Sequence, residues 1–188
     1  MTLECTPDGI LAPIVSSNWP GCCAPHECSS EDVELCPVSR TKGVKVAMQT
    51  VKAMLTESGL ARVSADSYRF CPDSGCGIVY FGERGQTYST SEVRAAVWQK
   101  QSEGARTVCY CFGENEADIR AEITATGQSD AVERVRQHIQ AGRCACEVRN
   151  PRGVCCLGDV AAAVKRAAAA MAAPVSLPDK SRSRLEIQ

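Results

Sequence analysis

Thiols dominate the reactive inventory of this sequence: 13 of its 188 residues are cysteine, against two histidines. They come in sets. Cys109-Tyr110-Cys111, Cys144-Ala145-Cys146 and Cys155-Cys156 fall in the second half, Cys71 and Cys76 bracket Pro72-Asp73-Ser74-Gly75, and Cys36 opens Cys36-Pro37-Val38-Ser39. Upstream, Cys22, Cys23 and Cys28 surround His26, and Cys5 is a lone thiol further out. A thiolate is both a nucleophile and a soft metal ligand. Nucleophilic chemistry lacks partners here: no Ser/His/Asp or Cys/His arrangement can be placed, and His138, among Arg134, Arg136 and Gln137, reads as a solvated surface side chain. An odd number of cysteines suits a closed disulfide set poorly, and residues 1–39 hold no Lys or Arg, so the positive n-region of a secretory signal is missing. The expectation is a cytoplasmic chain whose thiols stay reduced and bind metal.

In an extended segment, residues i and i+2 point to the same side, so a Cys-x-Cys aims two sulfurs at one centre. Four thiolates from two such loops suit a [2Fe–2S] cluster and equally a tetrahedral zinc. Spacing leaves that choice open. In the amino-terminal segment, vicinal Cys22-Cys23 near Cys28 suits capture and transfer of a soft ion, Cu(I) or Hg(II), because soft metals select thiolates.

These thiols must be carried by an α+β chain. Residues 1–32, with Pro7, Pro13 and Pro20, read as an irregular arm. The spacing Val44, Ala47/Met48, Val51, Met54/Leu55 predicts a helix over about 48–58 after a short strand. Tyr68-Arg69-Phe70 and Ile78-Val79-Tyr80-Phe81 predict a hairpin whose turn carries Cys71 and Cys76, with a third strand through Val93, Ala95 and Val97. After the polar linker 101–106 the pattern turns helical: Glu114 to Ala125 stopped by Gly127, Asp130 to Ala141 stopped by Gly142, and Leu157 to about Pro174. Residues 174–188 read as a disordered tail. Asp73, Glu114 and Glu116 read as turn and first-turn residues without a catalytic role.

Composition excludes other classes. A net charge of -1 with no basic face argues against nucleic-acid binding. The longest apolar run, Val160 to Val175, is interrupted by Lys165-Arg166, which argues against membrane insertion. Three Phe, four Tyr and two Trp supply a thin aromatic core, so metal sites are expected to help tie the chain together.

Val108-Cys109-Tyr110-Cys111-Phe112, two helical segments and a cysteine loop opening onto a further helix resemble the bacterioferritin-associated ferredoxin type of [2Fe–2S] domain. More of the chain resembles the amino-terminal domain of the CopZ copper-chaperone family, in which a zinc subdomain precedes such a cluster. The matching words are Cys36-Pro37-Val38, the helix after Thr50-Val51-Lys52, Tyr68-Arg69-Phe70-Cys71-Pro72 through Cys76, Val79-Tyr80-Phe81, and Asn150-Pro151-Arg152-Gly153-Val154-Cys155-Cys156, across roughly residues 33–170.

The resemblance implies a small zinc-binding α/β subdomain (33–100), then a mainly helical ferredoxin-like [2Fe–2S] subdomain (105–173). It implies cluster ligands Cys109, Cys111, Cys146 and Cys156, with Cys155 and Cys144 as neighbouring alternatives. It implies zinc at Cys36, Cys71 and Cys76. Ser39 stands where the family's Cys-Pro-x-Cys has its second thiol, so a fourth thiolate is expected from the arm, Cys28 or Cys23 ahead of Cys22 or His26.

The function implied is a metal-handling protein that reduces or delivers copper, with mercury as a chemically similar guest, and with at most a metal-ion reductase or electron-transfer activity. Its partners would be a metal transporter or chaperone and a redox protein. A plain one-electron carrier and a zinc-only interaction module are the competing expectations. The Gly-Met-x-Cys-x-x-Cys heavy-metal-associated domain of two-domain copper chaperones is missing from the sequence.

Overall fold

The computed structural model describes residues 32–172. Four short strands, β1 (Val44–Val46), β2 (Tyr68–Phe70), β3 (Ile78–Gly82) and β4 (Thr87–Ser89), form an antiparallel meander in sequence order. Helices α1 (Met48–Met54) and α2 (Glu57–Leu60) lie between β1 and β2. Four more follow the sheet: α3 (Glu116–Thr126), α4 (Ala131–Gln140), α5 (Cys146–Arg149) and α6 (Leu157–Ala172). The fold is a mixed α/β arrangement with the strands confined to the first half.

One core lies between α1 and the sheet, built from Val51, Leu55, Phe70, Val79, Tyr80 and Tyr88. A second packs α3 and α4 against α6 through Ile119, Ile123, Val135 and Val160, and it includes Cys109 and Cys156. A third, smaller cluster groups Cys36, Cys71 and Cys76 with Phe81. Strand alternation alone would send Val79 and Phe81 to one face and Ile78 and Tyr80 to the other. A bulge between Ile78 and Tyr80 breaks that rule, so Val79 and Tyr80 both enter the main core while Phe81 turns to the thiols.

The expected helix over 48–58 is two helices. Leu55 takes an extended conformation, bridges to Val93 and is fully buried, and the hydroxyl of Thr56 then caps α2 by accepting from the Gly59 N–H. Tertiary burial of Leu55 overrides local helical spacing here.

The expected third strand through 93–97 is a correction: the strand is β4, and a capping box at Ser89 and Glu92 ends it in a 3-10 turn. The helices of the second half lie close to their expected spans, with Gly127 in the left-handed conformation at the end of α3. The arm and tail expectations fall outside the described residues.

Candidate metal centres

The first centre is made by two loops over the Phe81 face of the sheet. Leu35 and Lys42 bridge, Gly43 N–H donates to the Glu34 carbonyl at 2.8 Å, and between them the chain turns tightly through 37–40, with Arg40 at φ 58°. Gly43 allows this loop to sit so close, since a Cβ there would lie 2.4 Å from the Phe81 ring. Buried Arg69 anchors the loop base, donating to Glu34 Oε1 at 2.7 Å and to the Gly43 carbonyl at 3.3 Å. The second loop is the β2–β3 turn, where Asp73 Oδ1 accepts from the Gly75 N–H at 2.8 Å. Lys100 Nζ donates to the carbonyls of Asp73 (2.8 Å) and Cys76 (3.0 Å), fixing the turn from outside.

Cys36, Cys71 and Cys76 are thereby buried with all three sulfurs within 4.8 Å of one another, and Cys36 Sγ lies 3.9 Å from Cys76 Sγ. Among the described residues this is the one group of three or more Cys, His, Asp or Glu ligand atoms so gathered. Burial would raise the Cys36 thiol, but the N–H groups of Ser39 and Val38 and the Ser39 hydroxyl outweigh it and hold the thiol below its ordinary value. Burial pushes Cys71 up despite the Ser39 hydroxyl beside it. A buried thiol triad receiving amide N–H bonds is a donor set for a soft or borderline cation such as zinc.

The second set of thiols stands in two pairs. Thr107 to Asn115 forms a tight loop in which the N–H groups of Val108 and Cys109 both donate to the Glu114 carbonyl, at 2.8 and 3.1 Å. The Glu114 carboxylate accepts both Arg134 nitrogens at 2.9 Å, tying that loop to α4. Cys111 Sγ is 3.8 Å from Cys146 Sγ and accepts from the Ala145 N–H at 3.4 Å. Cys109 and Cys156 make the other pair: a hydrogen bond from Cys156 lowers Cys109 to about 7, while the same contact and burial drive Cys156 upward. Burial carries Cys146 up to about 12, with Cys111 adding to the shift.

The four thiols expected from the resemblance therefore face each other as Cys111/Cys146 and Cys109/Cys156. Cys155 is exposed and Cys144 half-buried. Cys146 opens α5 instead of lying in an extended segment, so it is the start of a helix turn that aims its sulfur. Cys22, Cys23, Cys28, Cys5 and His26 lie outside the described residues.

Several side chains that hold these loops stood in the sequence only as motif residues, with no role read for them. Buried Asn150 closes the loop before Cys155, donating from Nδ2 to the Val154 carbonyl (2.7 Å) and accepting from the Arg152 N–H (3.0 Å). Thr50 Oγ1 of α1 donates to the Glu147 carbonyl at 2.7 Å, and Tyr80 Oη of β3 donates to the Pro151 carbonyl at 2.7 Å. No sequence signal pointed to these long-range roles. His138 departs from its expected solvated position: its ring stacks on Phe112, beside Cys111, at 4.1 Å between centroids.

Residues 33–94 match the model of the CopZ-type zinc-binding domain family. The chain is 33% identical over 122 residues to the copper chaperone CopZ of Archaeoglobus fulgidus, across 64% of this chain and 57% of the relative. It thus spans little more than half the length of that relative. The crystal structure of the amino-terminal domain of the same archaeal protein superposes with a TM-score of 0.57 at 29% identity, covering 68% of this chain and 95% of that domain. The chain contains a CopZ-like zinc-binding domain and is homologous to the CopZ amino-terminal domain. Among the described residues no helix is long and apolar enough to cross a membrane.

Proposed function

We propose that this is a metal-handling protein in which Cys36, Cys71 and Cys76 hold a structural zinc and Cys109, Cys111, Cys146 and Cys156 hold a [2Fe–2S] cluster. The observation that carries the second assignment is the pairing of sulfurs. Four ligands of one tetrahedral zinc would all lie about 3.8 Å apart. Cys111 and Cys146 have that spacing, yet no three of the four sulfurs lie within 4.8 Å of one another. One close pair, Cys111 and Cys146, beside Cys109 coupled to Cys156, with no three sulfurs gathered, suits two metal ions, each taking one pair, as the two irons of a [2Fe–2S] centre do.

When bound, such a centre supplies one electron at a time. The chain's own contribution is to bury Cys109, Cys146 and Cys156, donate N–H bonds to the sulfurs of Cys109 and Cys146 and hold the loops by Glu114–Arg134 and Asn150. Copper is the proposed cargo, by homology to a protein named a copper chaperone, with a membrane metal transporter or a soluble copper acceptor as partner. Cys22 and Cys23 of the arm are proposed to present the thiolates of transfer.

Anaerobically purified protein should contain about two iron and two acid-labile sulfide per chain alongside zinc, and Cys109→Ala should abolish the visible colour while zinc stays. Dithionite-reduced protein should give one Cu(I) per electron on addition of Cu(II). A colourless protein holding only zinc refutes the cluster; a coloured protein inert to Cu(II) and without affinity for Cu(I) leaves a plain electron carrier.

A further inference from the structure

We propose that the fourth ligand of the zinc centre is the hydroxyl of Ser39. This rests on the zinc assignment at Cys36, Cys71 and Cys76. Ser39 Oγ lies 3.4 Å from Cys71 Sγ, and the same hydroxyl is hydrogen-bonded to Cys36. It occupies the rim of the buried triad between two of its three sulfurs, on the half-exposed side of the loop.

In a tetrahedral site with Zn–S of about 2.3 Å and Zn–O of about 2.0–2.2 Å, sulfurs stand about 3.8 Å apart and an oxygen about 3.5 Å from each sulfur. The separations here are 3.9 Å for Cys36–Cys76 and 3.4 Å for Ser39–Cys71. The oxygen thus stands at donor spacing from Cys71 and in hydrogen-bond contact with Cys36, before any residue of the amino-terminal arm is invoked.

The local backbone supports this placement. The Arg40 N–H donates to the Cys36 carbonyl (2.9 Å) and the Cys36 N–H to the Thr41 carbonyl (2.9 Å), so residues 36 and 39 are held on one side of a closed turn. The Thr41 N–H donates to Ser39 Oγ at 3.4 Å. A serine hydroxyl has two lone pairs and one proton. With one lone pair on Thr41 N–H, the other faces the thiol triad, and the proton can turn to water on the exposed side.

A neutral hydroxyl also lowers the charge of the buried centre: three thiolates and a neutral oxygen on zinc sum to -1, against -2 for four thiolates. The solvent-facing vertex is then the hardest and weakest donor, so an incoming thiolate displaces oxygen first. This centre exchanges its metal more readily than an all-thiolate one.

Zinc K-edge absorption spectroscopy of the full-length protein, with zinc per chain measured alongside, tests this. The wild type should show an oxygen in the zinc shell. Ser39→Cys should replace that oxygen by sulfur and slow zinc loss to a chelator, and Ser39→Ala should hold zinc about tenfold or more weakly, since even outer-shell substitutions cost that much. Cys28→Ser and Cys23→Ser should leave shell and retention unchanged.

An all-sulfur shell in the wild type that loses one sulfur in Cys28→Ser or Cys23→Ser overturns the proposal in favour of the arm. Unchanged retention in Ser39→Ala overturns it in favour of water. The underlying zinc assignment fails separately, if Cys71→Ser keeps the wild-type zinc content and shell.

Discussion

Replacing Gly153 by alanine probes how the Cys156 loop is held against the sheet half. Gly153 has φ 69°, a conformation that costs an L-residue about 1–2 kcal/mol. A Cβ there would also stand 2.6 Å from Thr50 Oγ1, 3.2 Å from its Cγ2 and 3.3 Å from its Cβ. Thr50 is fully buried and its hydroxyl is engaged with the Glu147 carbonyl at 2.7 Å, so it cannot rotate away without breaking that bond. A lost buried hydrogen bond with an unsatisfied carbonyl adds about 1–3 kcal/mol.

Gly153→Ala should therefore destabilise the protein by about 2–5 kcal/mol, the sum of these terms. In a Thr50→Ala background the two worst contacts disappear and only the Cβ contact remains, so the same substitution should cost about 1–2 kcal/mol, the backbone strain alone. Denaturant unfolding of the four proteins closes the cycle, and its coupling term is the measure. Equal costs of Gly153→Ala in both backgrounds would refute the steric reasoning and leave only the backbone.

Two further outcomes follow from buried partners. Tyr80→Phe leaves the Pro151 carbonyl without its donor and should cost about 1–3 kcal/mol in thermal unfolding, more than Tyr68→Phe, whose hydroxyl makes a longer, part-buried bond of 3.2 Å to the Ser64 carbonyl. Glu116 is the second case: burial alone would raise it, but Arg106, the Gly104 N–H and Arg166 hold it down to about 2 from an ordinary 4.5. A depressed carboxylate stabilises above the unfolded value and loses that stabilisation as pH falls from 4.5 towards 2. The shift is worth at most about 3 kcal/mol, and about 2 once solvent around half-exposed Arg166 is allowed for. The stability gap between wild type and Glu116→Gln should accordingly narrow between pH 6 and pH 3, and parallel stability curves over that range would show that the ion pairs carry no such weight.

What could be read in advance divides along a physical line. The helices α3 and α4 follow periodic apolar spacing with glycine stops, α6 follows its Ala-rich run before Pro174, and the β2–β3 hairpin follows its aromatic runs and its Pro-Asp-Ser-Gly turn, so these elements were legible locally. The bridge between Leu55 and Val93 splits one expected helix and displaces one expected strand, and it depends on contacts nearly forty residues apart. The thiol sets were legible as sets because spacing is a sequence property. The choice of Cys109, Cys111, Cys146 and Cys156 was carried by the resemblance, and the pairing of Cys111 with Cys146 was not legible, since it depends on how α5 starts at Cys146. Ser39 was visible as a missing thiol, and only the turn geometry makes its oxygen a donor.

The two thiol sets are joined by structure as well as by sequence. The loop between Cys146 and Cys156 has no sheet or long helix of its own to lie on; Thr50 holds its Glu147 carbonyl and Tyr80 its Pro151 carbonyl. Those two side chains come from α1 and β3, and β3 is also the strand that turns Phe81 into the cluster with Cys36, Cys71 and Cys76. From the other side, Tyr110, between Cys109 and Cys111, donates to the Ala96 carbonyl at 2.7 Å and accepts from the Trp98 N–H at 2.9 Å, just before the lysine that fixes the Cys76 turn. Metal sites keep their geometry when the groups around the ligands are themselves fixed by packing and hydrogen bonds. In this chain Tyr80, one of the side chains that fix the second thiol set, lies on β3, the strand that also places Phe81 against Cys36, Cys71 and Cys76, so the two thiol sets share one strand as support.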